Sequence, residues 1–347
     1  MEEYGDFRYE QAALDVLRGE IGMETVIIDK GVAEQKKGPR FSKKKSAYGK
    51  LSKKERLQGF LMAVVPFVGF CCFTALPLAM SLYVSFFDLK GYDLSAMKWA
   101  GLNNYKLLFQ YDLFWTAVLN TLYFSLSVPI NIISQLFLAN LLTKVKSKVF
   151  SKIVRLVLYI PTIIGGVAIS LIFNWLLEAN YGVFNTILSS MGLDKIGFTT
   201  TKEWFMPSVL LIKWWSAGMN ILVLQSALAN VNSTLKEAAK IDGANDRQIF
   251  FKIVIPQISP MLYYTLTTEF SAAFQEMSTL QIVAGGSIFG PGYSAVSLSY
   301  LMYIMSFRNM ATEGFGLASA VGNVLGIFII VFYQINDKIA KKWVSYD

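Results

Sequence analysis

Long apolar runs separated by short polar segments dominate the chain from residue 57 onward. A helix needs about 20 predominantly apolar residues to cross the ~30 Å hydrocarbon core of a bilayer. Six windows meet this requirement, at residues 57–87, 114–143, 153–177, 205–228, 257–284 and 315–337. The pattern therefore predicts an all-α integral membrane protein with six transmembrane helices.

Lysine and arginine concentrate at alternate ends of these windows. With a cytoplasmic N-terminus, the inside segments 1–56, 144–155, 229–256 and 338–347 hold 25 of the 32 Lys and Arg residues. The outside loops then hold six. Because cytoplasmic loops carry the excess of Lys and Arg, the distribution predicts a multi-pass protein with both termini in the cytoplasm.

The first 56 residues differ in kind from the rest of the chain. They hold 13 Lys and Arg residues and no long apolar run, which is typical of a solvated cytoplasmic tail held near anionic lipid. The predicted organisation is a basic tail over 1–56, a six-helix domain over 57–342 and a short cytoplasmic tail over 343–347. The domain includes a polar cytoplasmic loop over 229–256.

Composition narrows the function classes. The chain is 54% apolar and 16% charged, against about 25% charged residues in a soluble domain. It has no histidine, and its two cysteines are the adjacent pair Cys71 and Cys72, which excludes a Ser-His-Asp triad, an HExxH zinc site and a disulfide framework. No GxxxxGK[ST] nucleotide motif occurs. We therefore expect no enzyme activity, metal or cofactor, and the position of the basic residues argues against nucleic acid as a partner.

The cytoplasmic loop predicts two short helices. Thr234 followed three residues later by Glu237 has the spacing of a capping box that starts a helix, and Gly243 is suited to end it in left-handed geometry. The helix face has small side chains and comprises Leu235, Ala238, Ala239 and Asp242.

The second helix of the loop begins after the first one ends. Asn245 and Gln248 predict its start, and Pro256 suits the first turn of the next span, where a missing N–H costs little. The pattern alone is equally consistent with two interpretations of this helix–turn–helix. It is either a rigid element that docks on a soluble partner or an interfacial hairpin without a partner.

The run EAAKIDGA from Glu237 to Ala244, followed by Phe250, Ile253 and Pro256, closely resembles the EAA motif of permease subunits of binding-protein-dependent ABC importers. In that family this loop is the coupling helix that docks into a cleft of the ATPase subunit. The resemblance implies the same role here for six residues: Glu237, Ala238, Ala239, Asp242, Gly243 and Ala244.

The resemblance extends over roughly residues 57–342 and suggests the sugar permeases related to the larger membrane subunit of the maltose transporter. Weaker matching stretches follow in order, among them 85–87, 101–105 and 314–320. The resemblance implies a type I importer permease in a bacterial plasma membrane that translocates a carbohydrate, and it points to an oligosaccharide. Its implied partners are a second homologous permease, two cytoplasmic ATPase subunits, an extracellular solute-binding protein and membrane lipid.

Polar residues inside the spans are candidates for the substrate pathway, because a sugar needs amide or carboxylate partners beside aromatic platforms. The candidates are Asn131, Trp175, Asn220, Glu269, Gln275 and Glu276. Lys213 and Glu276 each lie eight residues from the outer end of adjacent antiparallel spans, which places them at one depth and predicts an ion pair.

Two other hypotheses of transport function remain open at this point. One is a permease of the same class for another polar solute, such as an amino acid or phosphate. The other is an ion-coupled secondary transporter, which would have discontinuous helices and internal repeats and no use for the cytoplasmic hairpin. An intramembrane enzyme is disfavoured by the lack of histidine and of paired acidic motifs.

Overall fold

A computed structural model describes residues 52–91, 93–216, 218–308 and 314–345. Contacts divide the chain into two units, residues 1–63 and 64–347. Of the first unit, residues 52–63 are described, and residues 53–63 form the start of helix α1. The predicted basic tail lies almost wholly outside the described residues.

The described residues are overwhelmingly helical, with one antiparallel pair of two-residue strands, β1 (Phe87–Asp88) and β2 (Lys98–Trp99), in which Phe87 faces Trp99. Three π-helical turns interrupt the helices, at Cys71–Ala75, Phe250–Val254 and Ile304–Arg308. The α-helices are α1 (Lys53–Phe70), α2 (Leu76–Val84), α3 (Asn103–Gln110), α4 (Asp112–Lys144), α5 (Lys148–Ile164), α6 (Gly166–Leu176), α7 (Val183–Ser190), α8 (Lys202–Ser216), α9 (Gly218–Ala229), α10 (Ser233–Ile241), α11 (Asp246–Ile249), α12 (Ile255–Phe274), α13 (Ser278–Val283), α14 (Leu298–Tyr303) and α15 (Gly314–Ala340).

Within the described residues, four continuous helical stretches are long and apolar enough to cross a membrane. They are Lys53–Val84, Asp112–Lys144, Asp246–Phe274 and Gly314–Ala340. Two further spans form when each bent helix pair counts as one: α5 with α6, bent by 106°, and α8 with α9, bent by 47°. The six apolar windows thus correspond to four single helices and two bent pairs.

The third window is the one that departs most from a straight span. Its break lies at Gly165, whose φ of +86° is a left-handed conformation that a residue with a Cβ rarely adopts. The Gly165 N–H still closes the last turn of α5 on the Pro161 carbonyl, at 3.2 Å. Hydropathy cannot detect this break, because the residues on both sides of it are equally apolar.

The fifth window is displaced toward the polar loop 229–256 that precedes it. The predicted span 257–284 ends early, at Phe274, and a separate helix, α13, follows it. At its other end the span continues through the π turn Phe250–Val254 into α11, so Asp246–Phe274 is one helical rod. The π turn before Pro256 allows this, because the Ile255 N–H bonds to the Phe250 carbonyl one residue further back than in an α-helix.

The interior is formed by packing α4 against α9 and α12, and α14 against α15. Large apolar side chains also cover the outer surfaces: none of the residues in the apolar window of the first span, within Lys53–Val84, is buried. Lipid tails are as apolar as leucine, so such exposed side chains are expected where a span faces the bilayer.

Candidate functional site

A polar cavity of about 240 Å³ lies inside the membrane domain, between α4, α8, α9 and α12. Each of these helices contributes polar side chains to an otherwise apolar wall. The polar lining residues are Ser127, Asn131, Lys213, Ser216, Asn220, Glu269 and Glu276. Four of the six predicted pathway residues, Asn131, Asn220, Glu269 and Glu276, are therefore brought to one place.

A hydrogen bond joins two of these residues across the cavity wall. Asn220 on α9 donates through Nδ2 to Oε1 of Glu269 on α12, at 2.6 Å. The second carboxylate oxygen of Glu269 is not engaged by Asn220, and the residue lines the cavity. An ionisable group in a span costs several kcal/mol on insertion (about 2.5–3.5 for Asp at a helix centre), so its presence favours a functional role.

The predicted ion pair between Lys213 and Glu276 is confirmed. The Lys213 ammonium donates to Oε2 of Glu276, whose side chain is only 6% exposed, while that of Lys213 is 35% exposed. The other oxygen of Glu276 accepts the Thr279 N–H at 3.0 Å, in the first turn of α13. Glu276 thus links α8 to α13 in addition to lining the cavity.

The two remaining pathway candidates lie elsewhere. Gln275 is exposed and lies one residue beyond the end of α12. Its Nε2 donates to the Ser271 carbonyl oxygen in the last turn of that helix. Trp175 is 56% exposed on α6, and neither residue lines the cavity. Gln135, which lies one turn from Asn131 on α4, is fully buried with both polar side-chain atoms unpaired in the described structure.

The hairpin formed by the polar loop 229–256 comprises α10 and α11. The predicted capping box of Thr234 and Glu237 is wrong: the N-cap is Asn232, whose Oδ1 accepts the Thr234 N–H at 2.9 Å. Asparagine is among the strongest N-cap residues and precedes Thr234 by two positions, so the helix starts earlier. Glu237 is left on the exposed surface.

Gly243 ends α10 as predicted, with a φ of +81°. The Ala244 N–H bonds to the Ala239 carbonyl at 2.9 Å, and the Gly243 N–H bonds to the Lys240 carbonyl at 3.1 Å. Both bonds together define a Schellman motif. The predicted capping box of Asn245 and Gln248 is also present, with reciprocal bonds of 2.8 and 2.9 Å, so both ends of the turn are held rigidly.

The six predicted coupling residues fall on two faces of the hairpin. Ala239 and Ala244 pack against the membrane-domain core, so their small side chains let the hairpin lie close to the spans. The exposed face carries the other four: Glu237, Ala238, Asp242 and Gly243.

Ile241 is a further residue on the exposed face that the sequence analysis missed. At 87% exposure it exceeds every other large apolar side chain exposed in the described structure. It lies between Lys240 and Asp242, in a polar segment of the chain. An isoleucine between two charged residues near a helix end was the available signal in the sequence.

The family profile described as "Binding-protein-dependent transport system inner membrane component" matches residues 131–345. A relative, the probable ABC transporter permease protein YesP of Bacillus subtilis (strain 168), is 31% identical over 303 residues, covering 85% of this chain and 94% of YesP. The lactose transport system permease protein LacF of Rhizobium radiobacter is 29% identical over 282 residues, covering 80% of this chain and 93% of LacF.

A solved structure shares the fold. It is that of a bacterial alginate ABC transporter in complex with an alginate pentasaccharide-bound periplasmic protein, and the matched chain superposes with a TM-score of 0.72 at 24% identity. The match covers 83% of this chain and 96% of that one. With the apolar spans, the hairpin and these relatives taken together, the chain belongs to the family of binding-protein-dependent transport system inner membrane components and is a multi-pass ABC transporter permease.

Proposed function

We propose that this chain is the permease subunit through which a carbohydrate, delivered by an extracellular binding protein, crosses the cytoplasmic membrane of a bacterium. ATP is hydrolysed by separate cytoplasmic subunits that dock on the exposed face of α10. The observation that carries the proposal is the combination, in one chain of this family, of a polar intramembrane cavity and a rigid, exposed cytoplasmic hairpin.

The chemistry of the cavity supports a carbohydrate. Asn131, Asn220 and Glu269 offer amide and carboxylate groups that can exchange hydrogen bonds with sugar hydroxyls. LacF is a lactose transport permease, which supports the same substrate class. The cavity of about 240 Å³ is smaller than the 300–1,000 Å³ typical of small-molecule sites. We therefore propose that a second, homologous permease subunit completes the pathway.

Coupling follows from the continuity of the hairpin with a span. Because Asp246–Phe274 is one helical rod, a displacement of the docked hairpin is transmitted along α12 to Glu269, which lines the cavity. In this proposal Glu237, Ala238, Ile241, Asp242 and Gly243 form the docking surface. Ala239 and Ala244 hold that surface against the membrane domain.

Transport measurements test the cavity. We expect Asn220→Leu and Glu269→Leu to lower carbohydrate uptake at least tenfold at normal membrane levels of the protein, because each removes the hydrogen bond between the Asn220 amide and the Glu269 carboxylate. A hydrogen bond to a charged group is worth about 1.5–3 kcal/mol. Gln275→Leu, outside the cavity, is the matched control and should transport normally. The measurement is uptake of a panel of labelled oligosaccharides, amino acids and phosphate by cells that lack the native gene.

If cells took up an amino acid or phosphate and no oligosaccharide, that solute would replace carbohydrate as the proposed substrate. Uptake that persists in ATP-depleted membranes and follows an imposed ion gradient would instead reject the ABC importer mechanism.

Replacing Ile241 tests the docking surface. Ile241→Asp should abolish co-purification of the ATPase subunit, because it removes about 1.5–3 kcal/mol of apolar burial and places a charge in the contact. Leu193→Asp is the control, since Leu193 is similarly apolar and exposed but lies in the loop between α7 and α8, on the opposite side in the proposed orientation. Retention of the ATPase by the Ile241 variant would show that α10 docks through another face.

Orientation is tested by reporters. A reporter fused after Asp347 should lie in the cytoplasm and one inserted at Leu193 outside, because 25 of the 32 Lys and Arg residues then lie on the inner side. Protease accessibility in right-side-out vesicles measures this. Reversed accessibility of the two sites would contradict the proposed topology.

A further inference from the structure

A second polar cavity, of about 680 Å³, lies between α4, α5, α9 and α10 at the end of the membrane domain that carries the hairpin. Two cations line it: Arg155 on α5 and Lys236 on α10. Three hydroxyl side chains and one amide complete the polar lining, and no acidic residue contributes to it. These are Thr143, Ser151, Ser226 and Gln225.

The charges of this cavity are unbalanced within the described structure. Neither Arg155 nor Lys236 forms a salt bridge or side-chain hydrogen bond with any described residue, including the carbonyls that end α4 and α9. Gln225 is only 6% exposed, yet its side chain also has no hydrogen-bond partner among the described residues. Buried polar groups are normally paired, so the unpaired Gln225 amide is unusual, whereas Arg155 is exposed and Lys236 is half-buried. Two cations with no acidic neighbour beside this amide form a lining suited to an anion.

The surface beside the cavity has the character of a membrane interface. Along the start of α5, exposed cations at Lys148, Lys152 and Arg155 run beside an exposed apolar row. That row comprises Val149, Ile153 and Leu156, each more than half exposed. A helix start with this arrangement places its charges at the headgroups and its apolar row against acyl chains.

We propose that this cavity binds the phosphate headgroup of an anionic phospholipid of the cytoplasmic leaflet. Arg155, Lys236 and Gln225 contact the phosphate, and the acyl chains follow the apolar row of α5. The lipid thereby joins α5 to the coupling helix α10. The assignment to the cytoplasmic leaflet rests on the proposed function, whereas the presence of an anion site does not.

Lipid titration tests the site. Binding of phosphatidylglycerol and of phosphatidylcholine to the detergent-solubilised full-length chain is measured by native mass spectrometry. We expect tighter binding of phosphatidylglycerol, weakened at least about tenfold by Arg155→Gln and by Lys236→Gln, the factor for a hydrogen bond to a charged group. Arg155→Lys should retain most of the affinity. Lys152→Gln removes an exposed cation of the same helix that lies outside the cavity, and it should weaken binding of phosphatidylglycerol much less than Arg155→Gln does.

Several outcomes overturn the proposal. Equal losses of phosphatidylglycerol affinity in Lys152→Gln and Arg155→Gln would mean that the lipid is held by general surface attraction. Unchanged affinity in the double variant Arg155→Gln/Lys236→Gln would mean that the cavity is not a lipid site. Displacement of phosphatidylglycerol by millimolar inorganic phosphate would assign the cavity to a soluble anion. If the Arg155 and Lys236 variants lost the co-purifying ATPase and the protein showed no preference for phosphatidylglycerol, the two cations would instead serve protein docking.

The test separates this inference from the proposed function. Lipid selectivity is measured on the solubilised chain and does not depend on transport, so a negative uptake assay does not affect the lipid result. Normal uptake with no lipid selectivity overturns only the lipid site.

Discussion

Substitution of Gly243 by tryptophan is expected to reduce ATP hydrolysis stimulated by the loaded binding protein to its unstimulated level. Gly243 has a φ of +81°, and left-handed geometry costs a residue with a Cβ about 1–2 kcal/mol. A Cβ built there meets no atom within 4 Å, so the indole would not be hidden. It would stand on the exposed end of α10 and block close approach of the ATPase.

Two variants separate backbone geometry from steric block. Gly243→Asn should retain most of the stimulation, because asparagine tolerates the left-handed region. Gly192→Trp is the matched control, since Gly192 has a φ of +75° and equally open surroundings but lies after α7, far along the chain from the hairpin. The measurement is ATPase activity of the reconstituted complex with and without loaded binding protein. Full stimulation in the Gly243→Trp complex would show that this turn does not take part in coupling.

Breaking the Lys213–Glu276 pair should have the largest effect on stability. Removing one partner of a buried ion pair costs about 3–5 kcal/mol, and we expect the lower end because Lys213 is 35% exposed. Glu276→Met should be worse than Lys213→Met, since it also removes the acceptor of the Thr279 N–H. Glu276→Gln keeps an acceptor for that N–H and isolates the loss of charge.

The double variant Lys213→Met/Glu276→Met should recover part of the loss, because no uncompensated charge is then left in the interior. Thermal unfolding of the detergent-solubilised protein, followed by tryptophan fluorescence, measures all four variants. Strictly additive losses in the double-mutant cycle would show that the two residues stabilise the fold independently.

Some features could be predicted because they are local along the chain. The spans follow from runs of apolar residues, and the turn at Gly243 and the cap at Asn245 follow from residues a few positions apart. The Lys213–Glu276 pair was predicted from equal distances to the ends of two spans, and the pair is present. The distances themselves were wrong, because α12 ends at Phe274 and Glu276 lies between α12 and α13. The N-cap of α10 was misplaced because the prediction followed the capping-box spacing of Thr234 and Glu237, although asparagine is the stronger N-cap residue.

By itself, therefore, the sequence determined the number of spans, the distribution of charge that predicts their orientation, and the hairpin with its family resemblance. Only the tertiary structure decided that Asn131, Asn220, Glu269 and Glu276 share a cavity while Gln275 and Trp175 do not. It also decided which hairpin residues face the core and which, like Ile241, face outward. The physical reason is that hydropathy reports only how strongly a residue type prefers an apolar environment to water. Which residues become neighbours depends on how four separate helices rotate and bend when they pack.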